Sequence, residues 1–216
     1  MSIFRKTQHK LLKKLTAAAT VIGSLIGGFS FSPTVSAEIV KVDGEKIADT
    51  SGRFDIYADA LINDNKTAIN HFKQFNLDAK QIANLYYKTS GGNIEANSLL
   101  NFINEKSTIN GVVNSIKGGT IGGNVYFIAP KGIVIGSGGV INGGSIGLMT
   151  PTQDFYDSLL SSDKIDQSKL TADMIKNIEA ADIPLNLNGS ISISGKLNAV
   201  DGIKVASAAI ELKNEA

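Results

Sequence analysis

Between Ile109 and Thr150 the chain places 12 glycines in 42 residues. No helix survives that density, because each glycine in a helix interior costs ~1 kcal/mol relative to alanine. Between the glycines lie β-branched and aromatic runs: Ile109–Val113, Val125–Ile128, Ile133–Ile135, Val140–Ile141 and Ile146–Leu148. Each is short and bounded by turn residues, the pattern of brief strands joined by tight corners. The stretch therefore predicts an all-β chain.

The pattern stops at Pro151 and resumes at Gly189. Residues 151–188 carry seven acidic residues and three lysines. Phe155 and Leu159 are four apart, as are Leu170, Met174 and Ile178, which predicts two short amphipathic helices inserted between strands. After the insert, SISISGKLNAVDGIKVAS (190–207) aligns with GIVIGSGGVINGGSIGLMT (132–150). Ile133 and Ile135 match Ile191 and Ile193, Ile141-Asn142 matches Leu197-Asn198, and Ile146 and Leu148 match Ile203 and Val205. This is an imperfect repeat of roughly 20 residues with three strands per period. Such a unit cannot bury its apolar face alone and must stack on its neighbours. A parallel β-helix does this, with successive turns about 4.8 Å apart. Glycine suits its corners, and Asn110, Asn114, Asn124, Asn142 and Asn198 fall near the expected ones. The competing architecture is an antiparallel β-sandwich. Residues 38–108 read as an N-terminal cap and first rungs, and 109–216 as further rungs carrying the insert. In 78–88, DAKQIANLYYK fits a short helix capped by Asp78 or a strand equally well.

The first 37 residues differ in kind. Arg5, Lys6, Lys10, Lys13 and Lys14 precede an uncharged apolar run over 15–31, and Val35-Ser36-Ala37 supplies small residues. This is the layout of a secretory signal peptide, with cleavage expected between Ala37 and Glu38. The apolar run is short for a membrane span. The remaining residues hold 16 basic and 20 acidic side chains, which argues against a nucleic-acid partner. The chain has no cysteine, so disulfides and thiolate metal sites are excluded.

Catalytic chemistry is hard to assemble. Residues 109–150 contain no Asp, Glu, His or Arg. A glycosidase needs two carboxylates across the scissile bond, and a lyase needs a base with a metal or cation. The acids of the insert have no ligand spacing and read as a solvated face. His71 stands alone and reads as structural or surface-exposed, and Tyr86-Tyr87 as packing. No catalytic, cofactor-binding or metal-ligating residue is expected, and the chain is read as a non-enzyme. A carbohydrate-active β-helix enzyme and a β-sandwich binding module are the alternatives.

The run Gly122–Thr152 resembles the N-terminal secretion domain of the two-partner-secretion exoproteins, the filamentous-haemagglutinin type. The residues that carry it are Asn124, Ala129-Pro130-Lys131-Gly132-Ile133, Val134, Ile135, Gly136, Val140, Asn142 and Gly144. Leu100-Asn101-Phe102-Ile103, Ile109-Asn110-Gly111 and Phe72-Lys73-Gln74-Phe75-Asn76 are also similar. The insert and the segment from Asp182-Ile183-Pro184-Leu185 to Ile203 look like the leukotoxin-type filamentous adhesins within that family. The family's Asn-Pro-Asn-Gly turn has Ala129 and Lys131 in place of both asparagines. The resemblance implies a right-handed parallel β-helix and recognition by an outer-membrane β-barrel transporter. It makes Asn124, Pro130, Gly132, Ile133 and Asn142 the candidate recognition and turn residues. It further implies export to the cell surface or exterior of a Gram-negative bacterium, with no cofactor. Contact with a host cell surface or matrix would come through a region C-terminal to this chain, which is read as the front of a longer exoprotein or a truncated copy.

Overall fold

The computed structural model describes residues 38–213. The expected signal peptide and Ala37 lie outside the described residues, and Glu38 is the first of them.

The chain is all-β, built on one large, mainly parallel sheet. Its parallel strands form three ladders, visited in turn. The first contains the start of Thr67–Leu77, then Ser98–Ile103, Asn124–Ile128, the end of Val140–Met149 and the end of Lys196–Ala206. The second contains the end of Thr67–Leu77, then Ser107–Ile109, Ile133–Ile135, Ser190–Ile193 and Ala209–Leu212. The third contains Arg53–Ala58, Ile82–Thr89, Val112–Lys117, the start of Val140–Met149 and the start of Lys196–Ala206. Parallel strands cannot be joined by a tight hairpin. Here the next strand of a ladder arrives only after the chain has passed through the other two.

Every pair aligned in the sequence repeat is a pair of Cα partners. Ile133 and Ile135 sit beside Ile191 and Ile193, Ile141 and Asn142 beside Leu197 and Asn198, and Ile146 and Leu148 beside Ile203 and Val205. The spacing is wider at first than the expected period. Asn84, Asn114 and Asn142 follow at 30 and 28 residues, whereas Ser192 and Glu211 are 19 apart.

Side chains alternate across each strand. One face sends Ala68, Leu99, Val125 and Ile146 from the first ladder into a common core. Leu77, Ile109, Ile135 and Ile193 join them from the second, and Phe54, Ala83, Val113 and Ile141 from the third. Phe72, Phe75 and Phe127 pack edge to face, with centroids 5.2 and 5.8 Å apart. Tyr87 is fully buried there, and its hydroxyl lies 2.6 Å from that of Ser115. Gly123 has φ +74°, and a Cβ on it would fall 2.7 Å from the Tyr87 ring, so only glycine fits.

The N-terminal end is capped by antiparallel strands. Ile39–Lys41 and Ala60–Ile62 both pair with Thr67–Leu77, and Ile39 of the cap is buried in the inner core with Phe54 and Ile56. Asp78 opens a turn in which Gln81 N–H donates to its carbonyl at 3.0 Å, and Ile82–Thr89 is a strand. The helix alternative fails because the partners of this segment are neighbouring strands.

Two helices do form in the insert, Gln153–Ser158 and Ala172–Ala180, capped by Thr152 and Thr171. A hairpin of Leu160–Ser161 and Lys164–Ile165 lies between them. The insert occupies the corner between first and second ladders, where other turns use only a few residues. It covers the outer face of the first ladder. Tyr156, Leu159, Leu170, Ile175 and Ile178 bury a second core with Ile69, Leu100, Phe102, Tyr126, Ile128 and Met149. Of the expected stripes, Leu159, Leu170 and Ile178 are buried, while Phe155 and Met174 lie at the margin.

Of the asparagines expected near corners, Asn110 and Asn124 are at or beside one, while Asn114, Asn142 and Asn198 lie within strands. None of the five has a positive φ. Asn124 opens a strand, and Asn110 sits between strands.

Candidate interaction surfaces

Ala129-Pro130-Lys131-Gly132 forms a corner between the first and second ladders, closed by Gly132 N–H donating to the Ala129 carbonyl at 3.0 Å. Gly132 has φ +110°, and a Cβ would come within 2.9 Å of the Ser190 carbonyl in the next strand. A side-chain hydrogen bond to this turn comes from the insert: Asn186 Nδ2 donates to the Pro130 carbonyl at 2.9 Å. Pro130, Gly132 and Ile133 are buried, so they shape the corner and present no surface. What the corner does expose is Lys131, paired with Glu105 at 2.9 Å. Asn124 is half-buried at the start of its strand, and Asn142 lies on the outer face of the third ladder. The five candidate residues therefore do not form one patch.

Asn142 belongs to a continuous row of amides. Asn198 Nδ2 donates to Asn142 Oδ1 at 2.8 Å, Asn142 to Asn114 at 2.9 Å, Asn114 to Asn84 at 3.1 Å, and Asn84 to Asp55 Oδ1 at 2.8 Å. The row has a direction, since each amide donates toward the N-terminal cap and Asp55 ends it as an acceptor. Asp55 also accepts from Arg53 and from the Tyr86 hydroxyl. Burial works to raise its carboxyl pKa, but the hydrogen bonds from Asn84 and Arg53 outweigh this and hold it below the ordinary range. Beside the row, the Tyr57 and Tyr86 rings stack with centroids 4.7 Å apart. Sequence reasoning missed this row, although the alignment of Asn142 with Asn198 was its signal. Asn142→Asp replaces a donor with an acceptor facing Asn114 Oδ1. It should cost about 1–3 kcal/mol, read as a lower urea midpoint at neutral pH.

A second polar row is buried in the inner core. Lys41 Nζ donates to Asn70 Oδ1 at 2.8 Å, Asn70 to Asn101 at 3.0 Å, and Asn101 to the Tyr126 carbonyl at 3.1 Å. Lys41 also pairs with Asp59 at 2.7 Å and lies 4.3 Å from the Phe72 ring centroid. Burial lowers its pKa, against the pull of Asp59.

His71 is buried beneath the insert on the outer face of the first ladder. Ile165 N–H, from the hairpin, donates to its Nδ1 at 3.2 Å, and its Nε2 lies 2.8 Å from Asn104 Oδ1. The Tyr156 hydroxyl donates to the same Asn104 oxygen at 2.8 Å.

Among the described residues, Lys196–Ala206 and Ala209–Leu212 each pair on one side only. Ile203, Ile210 and Leu212 continue the inner columns there but are 47%, 48% and 73% exposed. Among the described residues there is no cluster of three or more His, Cys, Asp or Glu able to hold a metal. No protein-family model, no curated protein and no solved structure matches this chain.

Proposed function

We propose that the chain is the secretion domain of an exported filamentous adhesin or toxin. In this reading the three ladders close into a right-handed parallel β-helix that an outer-membrane β-barrel transporter recognises. The observation that carries it is the match between the sequence repeat and the strand register. The family-like residues Gly122–Thr152 span a first-ladder strand, a corner, a second-ladder strand and the long strand that runs from the third ladder back to the first. Their side chains supply the columns and corner that stacking requires. Pro130, Gly132 and Ile133 then act by shaping that corner. Contact with the transporter falls to exposed Lys131 at that corner and, as a separate feature, to the amide row through Asn142 on the outer face of the third ladder.

The test is export. The chain is expressed in a Gram-negative host with and without the transporter encoded beside its gene. Release into the medium only with the transporter, with a new N-terminus at Glu38, is the expected result. Retention in the periplasm under both conditions would sink the reading.

A further inference from the structure

His71 joins the two parts of the insert to the sheet beneath them. Its protonation state follows from the hydrogen-bond network. A backbone amide can only donate, so Ile165 N–H fixes Nδ1 as an acceptor bearing a lone pair. A neutral imidazole then carries its proton on Nε2 and donates to Asn104 Oδ1. That oxygen is an acceptor, so the Tyr156 hydroxyl must donate to it. The chain of donors admits one tautomer, and it ties the hairpin and the first helix of the insert to the same imidazole–amide pair. A second proton on the ring would place Nδ1–H against Ile165 N–H, two donors facing each other at a histidine that is only 5% exposed.

We propose that His71 is an acid-sensitive clasp: its protonation raises the population of a minor form in which the insert has left the outer face of the first ladder and uncovered the apolar strip Leu100, Phe102, Tyr126, Ile128 and Met149. The strip is continuous along the ladder, since Leu100 is the Cα partner of Tyr126, Phe102 of Ile128, and Ile128 of Met149. Side chains of the insert cover it. The three ladders keep their own inner core when it is uncovered, so the expected product is an opened form with an intact sheet.

The charges around the ring come from three elements. Asp59, before Ala60–Ile62, favours the imidazolium, whereas Lys41 of the first strand and Lys164 of the hairpin oppose it. Tyr156 faces the site from the first helix of the insert, through Asn104. Burial is the largest influence and lowers the His71 pKa, with the Asn104 contact and Asp59 acting the other way. A histidine depressed in the closed form favours that form above the free value of about 6.5. As pH falls below it, the open form takes up the proton first. Opening then rises about tenfold per pH unit until the depressed value is reached.

Nuclear magnetic resonance on the full chain reads both halves of this process. His71 should titrate below its free value. Between the free value and that depressed value, the protection factor of the Ile165 amide, which corrects exchange for its intrinsic pH dependence, should fall about tenfold per pH unit, and proteolysis within 153–182 by an acid-active protease should rise in step, with first-ladder amides still protected. His71→Gln, which cannot take up the proton, should lose this dependence. Insert protection that holds through the His71 titration would overturn the proposal, as would the same acid response in His71→Gln. Should that variant fail to fold, the wild-type chain decides alone. Linked titration of the ring and opening of the insert supports the clasp, and independent titration refutes it.

Discussion

Replacing residues 152–188 by a corner as short as Ala129–Gly132 should give a chain that aggregates, although every strand of the three ladders is retained. The charge and helical spacing of 151–188 predict an insert that lies outside the strands and tolerates deletion of 154–181 without loss of fold. Its place outside the ladders agrees with that expectation; its packing does not. Leu100, Phe102, Tyr126, Ile128 and Met149 are each no more than 5% exposed beneath it. Full burial of a large apolar side chain is worth about 1.5–3 kcal/mol, so exposing five forfeits ~7–15 kcal/mol as an upper bound. That equals the whole net stability of an ordinary domain, ~5–15 kcal/mol. Size-exclusion chromatography and far-ultraviolet circular dichroism would follow the outcome. A soluble monomer melting at the wild-type temperature would show that the outer core is dispensable. Adding polar substitutions at Leu100, Phe102, Ile128 and Met149 to the deletion should restore solubility, which separates loss of cover from loss of fold.

Phe127→Ala should be the most destabilising single substitution in the inner core, at about 3–5 kcal/mol. The side chain is fully buried and sits edge to face with Phe75, which in turn packs on Phe72. Removing the ring leaves a cavity between first and second ladders whose walls are held by strand pairing on both sides. Such walls collapse inward only partly, so most of the cavity term is retained. Chemical denaturation at constant slope would measure it. A loss below about 1 kcal/mol would mean that the strands repack.

Much of the fold is legible in the sequence because the sheet's pattern is periodic. Ile133, Ile135, Ile141 and Ile146 align with their successors by residue type alone, since stacking places like residues side by side. The insert is legible for the opposite reason: its charge and helical spacing break the pattern. What escapes is which outward face is wet. Tyr126, Ile128 and Met149 alternate with inner residues along strands that look fully apolar, and only the folded insert makes their outer face a core. The asparagines suit corners by local chemistry, because tight turns tolerate them. Their row depends on registers about 30 residues apart, which local turn chemistry does not reveal. His71 looks isolated in the sequence, since Asn104, Tyr156 and Ile165 meet it only through tertiary contacts.

The one-way donation along the amide row also has a consequence in time. Asp55 can begin the row without any later residue, whereas each following amide finds its acceptor already in place on the strand before it. Partners in the first steps lie 28 to 30 residues apart, so each link closes soon after its strand is available. The step from Asn142 to Asn198 spans 56 residues, because the insert must come between. A chain emerging N-terminus first could therefore order its early turns as they appear, then pause while the insert is delivered. The insert would set the pace of the turn that follows it.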